Sequence, residues 1–385
     1  MYSNNQKISL RQTYRLFLFD FMGISTLVIP SLLAGWCGVY GLLSIVTGGV
    51  AGGIYLLYVG WCSKKIGTDL MQTLSEQTKT KNGKKGFALG KQAICFLLGV
   101  NNIVIAGFSG AVLTGMVRQS LIREESYALI WILTLVVAEY AIWGGLENRA
   151  RVYEVLFWFV VIPLFIMLLL STKEIDFSYF NSQRELTASS VLKGAYLVFI
   201  CFGTLFSFMF FPGKVTVPSK DGIRTGKKAC KADRLIGCVA YAYVAAVAIL
   251  GLVYFLLVGN FGENALAQIR YPIVTLMSNI QITGGFFKRL DAIMLAVWVF
   301  TLFALLNLNL YYGGKMTACL FRKPDQKRYN LIVWLLVFVI GMAIGYIESA
   351  WILGARFLWY VQTPLYVILP GILAWSRGKS KESHA

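Results

Sequence analysis

Histidine, acidic residues and paired cysteines are scarce in this 385-residue chain. It has one histidine, His384 in the tail, and 18 acidic residues against 36 basic ones. The seven cysteines include no C-x-x-C pair, which favours small apolar packing residues over a disulfide or metal framework. Without a nucleophile–base set or a metal-ligand cluster, enzyme chemistry is disfavoured. We therefore expect no catalytic residue, no bound metal and no cofactor.

Apolar residues are abundant instead, at 57% of the chain. The mean hydropathy of +0.65 exceeds what a soluble core of this length can hide. Ten charge-poor stretches of about 20 residues are each long enough to cross a bilayer core of ~30 Å as a helix. They cover about residues 16–34, 38–62, 94–117, 127–145, 155–171, 194–212, 235–259, 292–312, 329–346 and 357–375. We predict an all-α, polytopic membrane protein with ten transmembrane helices in a single domain, residues 1–385.

The basic residues alternate between successive loops. The two terminal segments and every second loop carry 27 of the 36 Lys and Arg residues, and the five intervening loops share 9. The positive-inside rule then places both termini in the cytoplasm. Because these charges flank membrane spans, the net charge of +18 indicates contact with the lipid bilayer and not a nucleic-acid partner.

Ten spans divide into two halves of five. Because each half has an odd number of spans, the second half is inverted in the membrane relative to the first. We place the first repeat at about residues 13–172 and the second at about 192–376. In inverted-repeat transporters the first helix of each repeat is broken near the midplane, and the break forms the ligand site. We therefore look for helix-breaking residues in the first and sixth stretches.

Both stretches contain such residues. The first has Gly23, Ser25, Thr26 and Pro30, and the sixth has Gly203, Thr204, Ser207 and Pro212. Glycine permits unwinding and proline removes a backbone donor. Freed amides then face an anionic group and freed carbonyls a cation, and an amino acid presents both. The alternative for these small residues is close helix packing.

Ionisable groups within the stretches are few. Asp20 lies one helical turn before Gly23, where it either sits near a coupling-ion or proton path or pairs with Arg15. The eighth stretch offers Thr301 but no adjacent pair of hydroxyls, which gives little support to a sodium site.

Three local sequences resemble a known family. The chain reads Gly144-Gly-Leu-Glu-Asn-Arg-Ala-Arg-Val-Tyr-Glu154, similar to the Gly-Ile-Glu-x-x-Ala-Arg-x-x-Glu segment of the spore germination permeases, the B subunits of nutrient germinant receptors. The segment Lys288-Arg-Leu-Asp291, followed by Trp298, resembles the family's Glu-Arg-Leu-Asp and later tryptophan. The opening Lys7-Ile-Ser-Leu-Arg-Gln12 is also similar.

This resemblance implies the LeuT-type fold of the amino acid–polyamine–organocation superfamily. It also implies a multi-pass protein of the spore inner membrane or cell membrane that recognises a small nutrient, often an amino acid. Its implied partners are a companion membrane subunit and a lipoprotein subunit of the receptor. The motif residues are implied to form polar networks, with Gly144, Glu147, Arg149, Arg151 and Glu154 at the inner face and Arg289 and Asp291 at the outer face.

The fold geometry suggests a pocket between spans 1, 3, 6 and 8. Its candidate ligand-binding residues are Gly23, Ile24, Ser25, Asn101, Asn102, Phe202, Gly203, Thr204, Ser207, Trp298 and Thr301. Paired amides in an apolar span need partners, so Asn101 and Asn102 point either to a ligand or to interhelical hydrogen bonds.

Three functions fit these features. The first is a permease-like receptor subunit that binds a nutrient and signals germination. The second is a stand-alone proton-coupled amino-acid transporter. The third is a scaffold that keeps the fold but has lost its ligand.

Overall fold

Helices make up almost all of this computed structural model. It describes residues 7–75, 78–79, 85–86, 89–120, 126–181, 184–216, 228–279, 290–321 and 326–382. The helices are α1 (Leu10–Leu27), α2 (Ile29–Cys37), α3 (Gly41–Ile66), α4 (Leu70–Ser75), α5 (Leu89–Ser120), α6 (Tyr127–Ile142), α7 (Gly145–Ser171), α8 (Ala188–Cys201), α9 (Lys228–Gln268), α10 (Pro272–Asn279), α11 (Leu290–Leu320), α12 (Gln326–Tyr346), α13 (Glu348–Phe357) and α14 (Thr363–Glu382). Two-residue strands form at β1 (Ile8–Ser9), β2 (Thr78–Lys79), β3 (Lys85–Gly86) and β4 (Val215–Thr216).

The helices are those of a multi-pass membrane protein. Within the described ranges, eight helical segments are long and apolar enough to cross a membrane, and α6 is a shorter apolar helix. All ten stretches predicted from the sequence fall on described helices, although ten as the number of crossings stays a prediction. Large apolar side chains face outward along these helices, such as Leu57, Val155 and Val339, each more than 60% exposed. Such an apolar surface is suited to contact with the hydrocarbon core of a bilayer.

The first span is broken at Val28. Helix α1 begins with a capping box, in which Ser9 and Gln12 each accept a hydrogen bond from the other's backbone N–H. It ends at Leu27, and α2 follows after Val28 with Pro30 in its first turn. Because Pro30 has no N–H for the carbonyl four residues earlier, the hydrogen-bond ladder is interrupted here. The break therefore follows Gly23 by more than one turn.

The sixth span changes its winding at Phe202. Helix α8 ends at Cys201, and residues Phe202–Phe210 continue as a 3-10 helix. Runs of 3-10 helix longer than about four residues are uncommon and often mark a functional hinge. Gly213, with a φ of 85°, then turns the chain into β4.

The two ends of the helical bundle are tied by different contacts. At one end β1 pairs in parallel with β4, Ile8 opposite Val215, which joins the start of the first span to the end of the sixth. We call this the β-ladder end. At the opposite end, Arg184 donates to the carbonyl of Gly35 over 2.9 Å, just before the C-terminus of α2. The interior between the ends is built around the long contact of α5 with α11.

Candidate ligand-binding site

Gly23 is a helix-packing position in this structure. A Cβ atom built on it would lie 3.2 Å from backbone atoms of Thr301 and Leu302 in α11. The residue is helical and buried within α1. Its lack of a side chain therefore allows α1 and α11 to pack closely against each other. Close helix packing was the alternative to a ligand site for the small residues of this span.

Of the neighbouring candidates, Trp298 joins α11 to α1, and the others bond within their own helices. Ser25 Oγ donates to the carbonyl of Phe21 over 2.5 Å, within its own helix. Trp298 Nε1 donates to Thr26 Oγ1 over 3.0 Å, and Thr301 Oγ1 donates to the Trp298 carbonyl over 3.1 Å. These polar groups satisfy one another without a ligand. Half-buried Ile24 contributes its carbonyl, which accepts the Val28 N–H over 3.1 Å.

Asn101 reaches a different helix from its neighbour. Its Nδ2 donates to the hydroxyl of Tyr366 in α14 over 2.8 Å, and its side chain is fully buried. Asn102 Nδ2 instead donates to the Leu98 carbonyl over 2.8 Å, inside α5. The two adjacent amides therefore play different parts, and only Asn101 takes part in an interhelical polar contact.

Gly203 lies against the same part of the tenth span. A Cβ atom built there would lie 3.0 Å from Gln362 Nε2 and 3.2 Å from Tyr366 Cδ2. Phe206, one turn further along the 3-10 helix, stacks on the Tyr366 ring with centroids 4.6 Å apart. Phe202 packs edge-on against Tyr243 at 5.0 Å. The 3-10 segment thus brings its backbone close to two polar side chains of the tenth span.

Several buried oxygens in these elements lack a partner. Asn101 Oδ1, Thr204 Oγ1 and Ser207 Oγ accept or donate no hydrogen bond within the described part of the chain. Each such group costs about 1–3 kcal/mol when it is buried unsatisfied. Native interiors keep few of them, so an unpaired set calls for a water, an ion or a ligand. We call Asn101, Thr204, Ser207, Gln362 and Tyr366 the polar cluster.

Sequence reasoning missed Gln362 and Tyr366. They lie four residues apart, on one face of the tenth span, where an amide and a phenol stand out in an apolar stretch. Gln362 also ends a π-helical turn, Leu358–Gln362, and such turns are frequent at functional sites. The i, i+4 polar pair is the signal that could have identified them.

A buried ion pair lies apart from this cluster. Arg149 in α7 is paired with Asp20 in α1, and both side chains are at most 2% exposed. Arg149 Nη2 also donates to the Ala304 carbonyl of α11 over 3.0 Å. The guanidinium lies 5.5 Å from the centre of the Tyr153 ring, within the range of a cation–π contact. Asp20 thus has Arg149 as its partner, and the sequence-based alternative of Arg15 is wrong.

The other inner motif residues form two further ion-pair groups. Glu147 pairs with Arg151 one turn along α7. Glu154 accepts from Arg11 and from Gln12, the latter over 2.8 Å, and so ties α7 to the start of α1. Gly144 precedes the helix, where a Cβ atom would lie 2.6 Å from that of Asn148. Among the described contacts, Arg149 thus pairs with Asp20, Glu147 with Arg151, and Glu154 with the start of α1.

The side chains of the two outer motif residues lie outside the part of the chain that the structure describes. Arg289 lies outside the described residues. Asp291 belongs to α11 by its backbone, but its side chain also lies outside what the structure describes.

The chain is similar to proteins of a known family. A family model described as spore germination protein matches residues 7–349. The chain is 21% identical over 382 residues to spore germination protein YndE of Bacillus subtilis strain 168, an alignment covering 92% of this chain and 95% of that protein. It is 24% identical over 309 residues to spore germination protein B2 of the same strain, covering 79% and 77% respectively.

Solved transporter structures share the fold. Mhp1, a nucleobase-cation-symport-1 family transporter in a closed conformation with bromovinylhydantoin bound, superimposes with a TM-score of 0.65 at 12% identity, covering 96% of this chain and 77% of Mhp1. MhsT in complex with L-phenylalanine superimposes with a TM-score of 0.63 at 12% identity, covering 94% and 88%. These likenesses confirm the predicted LeuT-type fold.

The family match extends over most of the chain and agrees with the resemblance read from its motifs. Family and fold together indicate a non-enzymatic membrane protein with a germinant-receptor or transporter role. This chain belongs to the spore germination protein family.

Proposed function

We propose that this chain is the permease-like subunit of a nutrient germinant receptor and that it binds an amino acid at the polar cluster. The observation that carries the proposal is the set of buried, unpaired oxygens of Asn101, Thr204 and Ser207. Asn101 lies on α5 and donates to Tyr366 of α14. Thr204 and Ser207 lie on the irregularly wound sixth span, where the adjacent Gly203 lies against Gln362 and Tyr366. Donors and acceptors of this kind are what the ammonium and carboxylate of an amino acid require.

The rewound helix supports recognition through the backbone. A 3-10 helix closes shorter hydrogen-bonded rings than an α-helix, so the backbone hydrogen-bond pattern of the sixth span changes at Phe202. Gly203 lets this backbone lie close to the tenth span. Binding that alters the winding here would move β4, which is paired to β1 at the β-ladder end. A change at the ligand site could reach the β-ladder end through this connection and there be passed on as the germination signal.

We further propose that both termini are cytoplasmic and that the β-ladder end faces the cytoplasm. Described basic residues of the alternating segments lie at that end, including Arg11, Lys64, Arg151 and Lys214, and the positive-inside rule assigns such an end to the cytoplasm. A companion membrane subunit and a lipoprotein subunit complete the receptor. Co-purification of an affinity-tagged chain from spore membranes tests the partners, and recovery of the chain alone would argue against the receptor assignment.

Two adjacent asparagines provide a matched test of the site. Asn101→Leu removes the amide that reaches α14, whereas Asn102→Leu removes one that bonds within its own helix. Germination in response to a mixture of the twenty amino acids is followed as loss of optical density, with immunoblots to establish equal abundance. We expect Asn101→Leu to abolish the response and Asn102→Leu to keep it. Equal responses in both variants would contradict the site.

A stand-alone proton-coupled amino-acid transporter is the second candidate. The buried Asp20–Arg149 pair favours it, because an ionisable carboxylate inside the membrane is the kind of group that takes up and releases a proton. Uptake of labelled amino acids into vesicles containing only this chain, driven by a pH gradient, would support transport. Binding without uptake would support the receptor.

A further inference from the structure

A cavity of about 450 Å³ opens at the end of the bundle opposite the β-ladder. It lies where α5, α6, α12 and α13 meet the turn between α9 and α10. The residues that shape it include Gly115, Arg118, Tyr127, Arg270, Gly345 and Trp351. None of these belongs to the polar cluster, so the cavity is a separate feature of the molecule.

Two arginines give this cavity its charge. Arg118 lies in the last turn of α5 and Arg270 in the turn before α10, and both line the same space. None of the lining residues that the structure describes is acidic. Two guanidinium groups that share one cavity repel each other, and an anion between them would turn this repulsion into attraction. Arginine is also the side chain best suited to grip a carboxylate or phosphate with two parallel hydrogen bonds.

Arg270 is held in a defined orientation. Its guanidinium carbon lies 5.3 Å from the centre of the Trp351 ring and 5.6 Å from that of Tyr271. Both distances are within the range of a cation–π contact, and the Tyr271 side chain also hydrogen-bonds to Arg270. These contacts restrict the side chain, and a planar guanidinium has further N–H donors that can reach an oxygen anion. Less entropy is therefore lost on binding than for an unrestrained arginine.

The walls of the cavity are fixed as well. Tyr127 donates its hydroxyl to the Gly341 carbonyl over 3.0 Å, which anchors its ring to α12. A Cβ atom at Gly115 would lie 3.0 Å from the hydroxyl oxygen of Tyr271. Glycine at this position thus keeps space open beside Arg118. Fixed aromatic walls with a few convergent polar groups are the usual composition of a small-molecule site.

We propose that Arg118 and Arg270 bind an anionic oxygen group, a carboxylate or a phosphate, in this cavity. The predicted topology places the cavity on the outer side of the membrane. The same chemistry is available there from a free carboxylate solute and from the headgroup of an anionic lipid. The site depends on neither the polar cluster nor the receptor assignment, and it is testable apart from both.

The experiment uses the full chain in nanodiscs and measures thermal unfolding. Sodium succinate is titrated into phosphatidylcholine nanodiscs at constant ionic strength set with sodium chloride, and a parallel series replaces phosphatidylcholine with phosphatidylglycerol. The variants are Arg118→Gln, Arg270→Gln and their double. Lys173→Gln is the control, since Lys173 is an exposed cation that does not line the cavity.

We expect an anion to raise the unfolding temperature of the wild type and of the Lys173 variant. Each arginine variant should need at least about tenfold more anion, because a hydrogen bond to a charged group is lost. A response to succinate identifies a free carboxylate as the ligand, and a response to phosphatidylglycerol alone identifies a lipid headgroup. If the double variant, shown to be folded by size-exclusion chromatography, responds like the wild type to both, the site does not exist.

Discussion

Asp20 and Arg149 meet in the interior of the bundle and connect three helices. Their ion pair joins α1 to α7, and the same guanidinium donates to the Ala304 carbonyl of α11 over 3.0 Å. Two of the guanidinium nitrogens, Nε and Nη1, are buried and without a partner among the described residues. Charge buried this deeply is destabilising unless it is paired. The pair therefore determines how α1 can sit against α7 and α11.

Removing the charge of one member of this pair should lower the free energy of unfolding more than removing both charges. Asp20→Asn leaves the Arg149 charge buried and unpaired, and we expect a loss of about 3–5 kcal/mol in the free energy of unfolding. The double variant Asp20→Leu with Arg149→Met removes both charges and should unfold at a higher temperature than Asp20→Asn. Thermal unfolding in detergent, followed by tryptophan fluorescence, measures the relative stabilities of the wild type and the two variants. A double variant less stable than Asp20→Asn would show that the charges are not coupled.

Gly23 should be intolerant of even a methyl group. Gly23→Ala places a Cβ atom 3.2 Å from the α11 backbone, which cannot move aside as a flexible side chain does. We expect destabilisation of about 1–3 kcal/mol from overpacking. Gly237→Ala in α9 is the control, because no described atom lies within 4 Å of a Cβ there. Equal unfolding temperatures for the two variants would contradict the close packing of α1 on α11.

Gly203→Ala should act on ligand recognition. The added methyl group contacts Gln362 Nε2 and the Tyr366 ring, whose side chains can yield slightly. We expect near-normal abundance but a rise of about tenfold in the amino-acid concentration for half-maximal germination, equivalent to about 1.4 kcal/mol. The matched Gly251→Ala in α9 meets no described atom within 4 Å and should respond normally. An unchanged response in Gly203→Ala would argue that this contact is structural only.

The orientation of the chain can be measured with single cysteines in a background lacking the native seven. Ser75 ends α4 near the β-ladder end, and Lys173 follows α7 at the opposite end; both are exposed. Because the basic loops belong inside, we expect Lys173→Cys to react with an impermeant thiol reagent added outside intact cells. Ser75→Cys should react only after the membrane is permeabilised. The reverse pattern would invert the topology.

The apolar stretches were sufficient to predict a helical, multi-pass membrane protein, because a bilayer requires spans of about this length. The five-plus-five arrangement and the family resemblance supplied the LeuT-type fold. The break in the first span was less predictable. Glycine permits unwinding, but Pro30 lacks a donor and so places the interruption at Val28, while Gly23 serves packing. Composition alone does not distinguish these two uses of glycine.

Contacts between residues far apart in the chain could not be predicted from the sequence. Asn101 was identified, but Tyr366, 265 residues away, could be assigned to it only from the folded chain. Arg149 was placed in an inner loop because charge usually marks a loop. Helix α7 in fact begins at Gly145, ten residues before the predicted span, and this extension carries Arg149 to Asp20.

We infer that the unpaired oxygens of the polar cluster bind an amino acid. Thr204→Val with Ser207→Ala removes two of these buried oxygens with little change in shape. Because an unsatisfied group is costly, the ligand-free variant should be as stable as the wild type or more so, by up to about 1–3 kcal/mol.

The most direct measurement is thermal unfolding of the purified chain and of this double variant with each of the twenty amino acids. We expect at least one amino acid to raise the unfolding temperature of the wild type and the same amino acid to have no effect on that of the variant. Equal stabilisation of both proteins, or a variant that is markedly less stable without ligand, would contradict it.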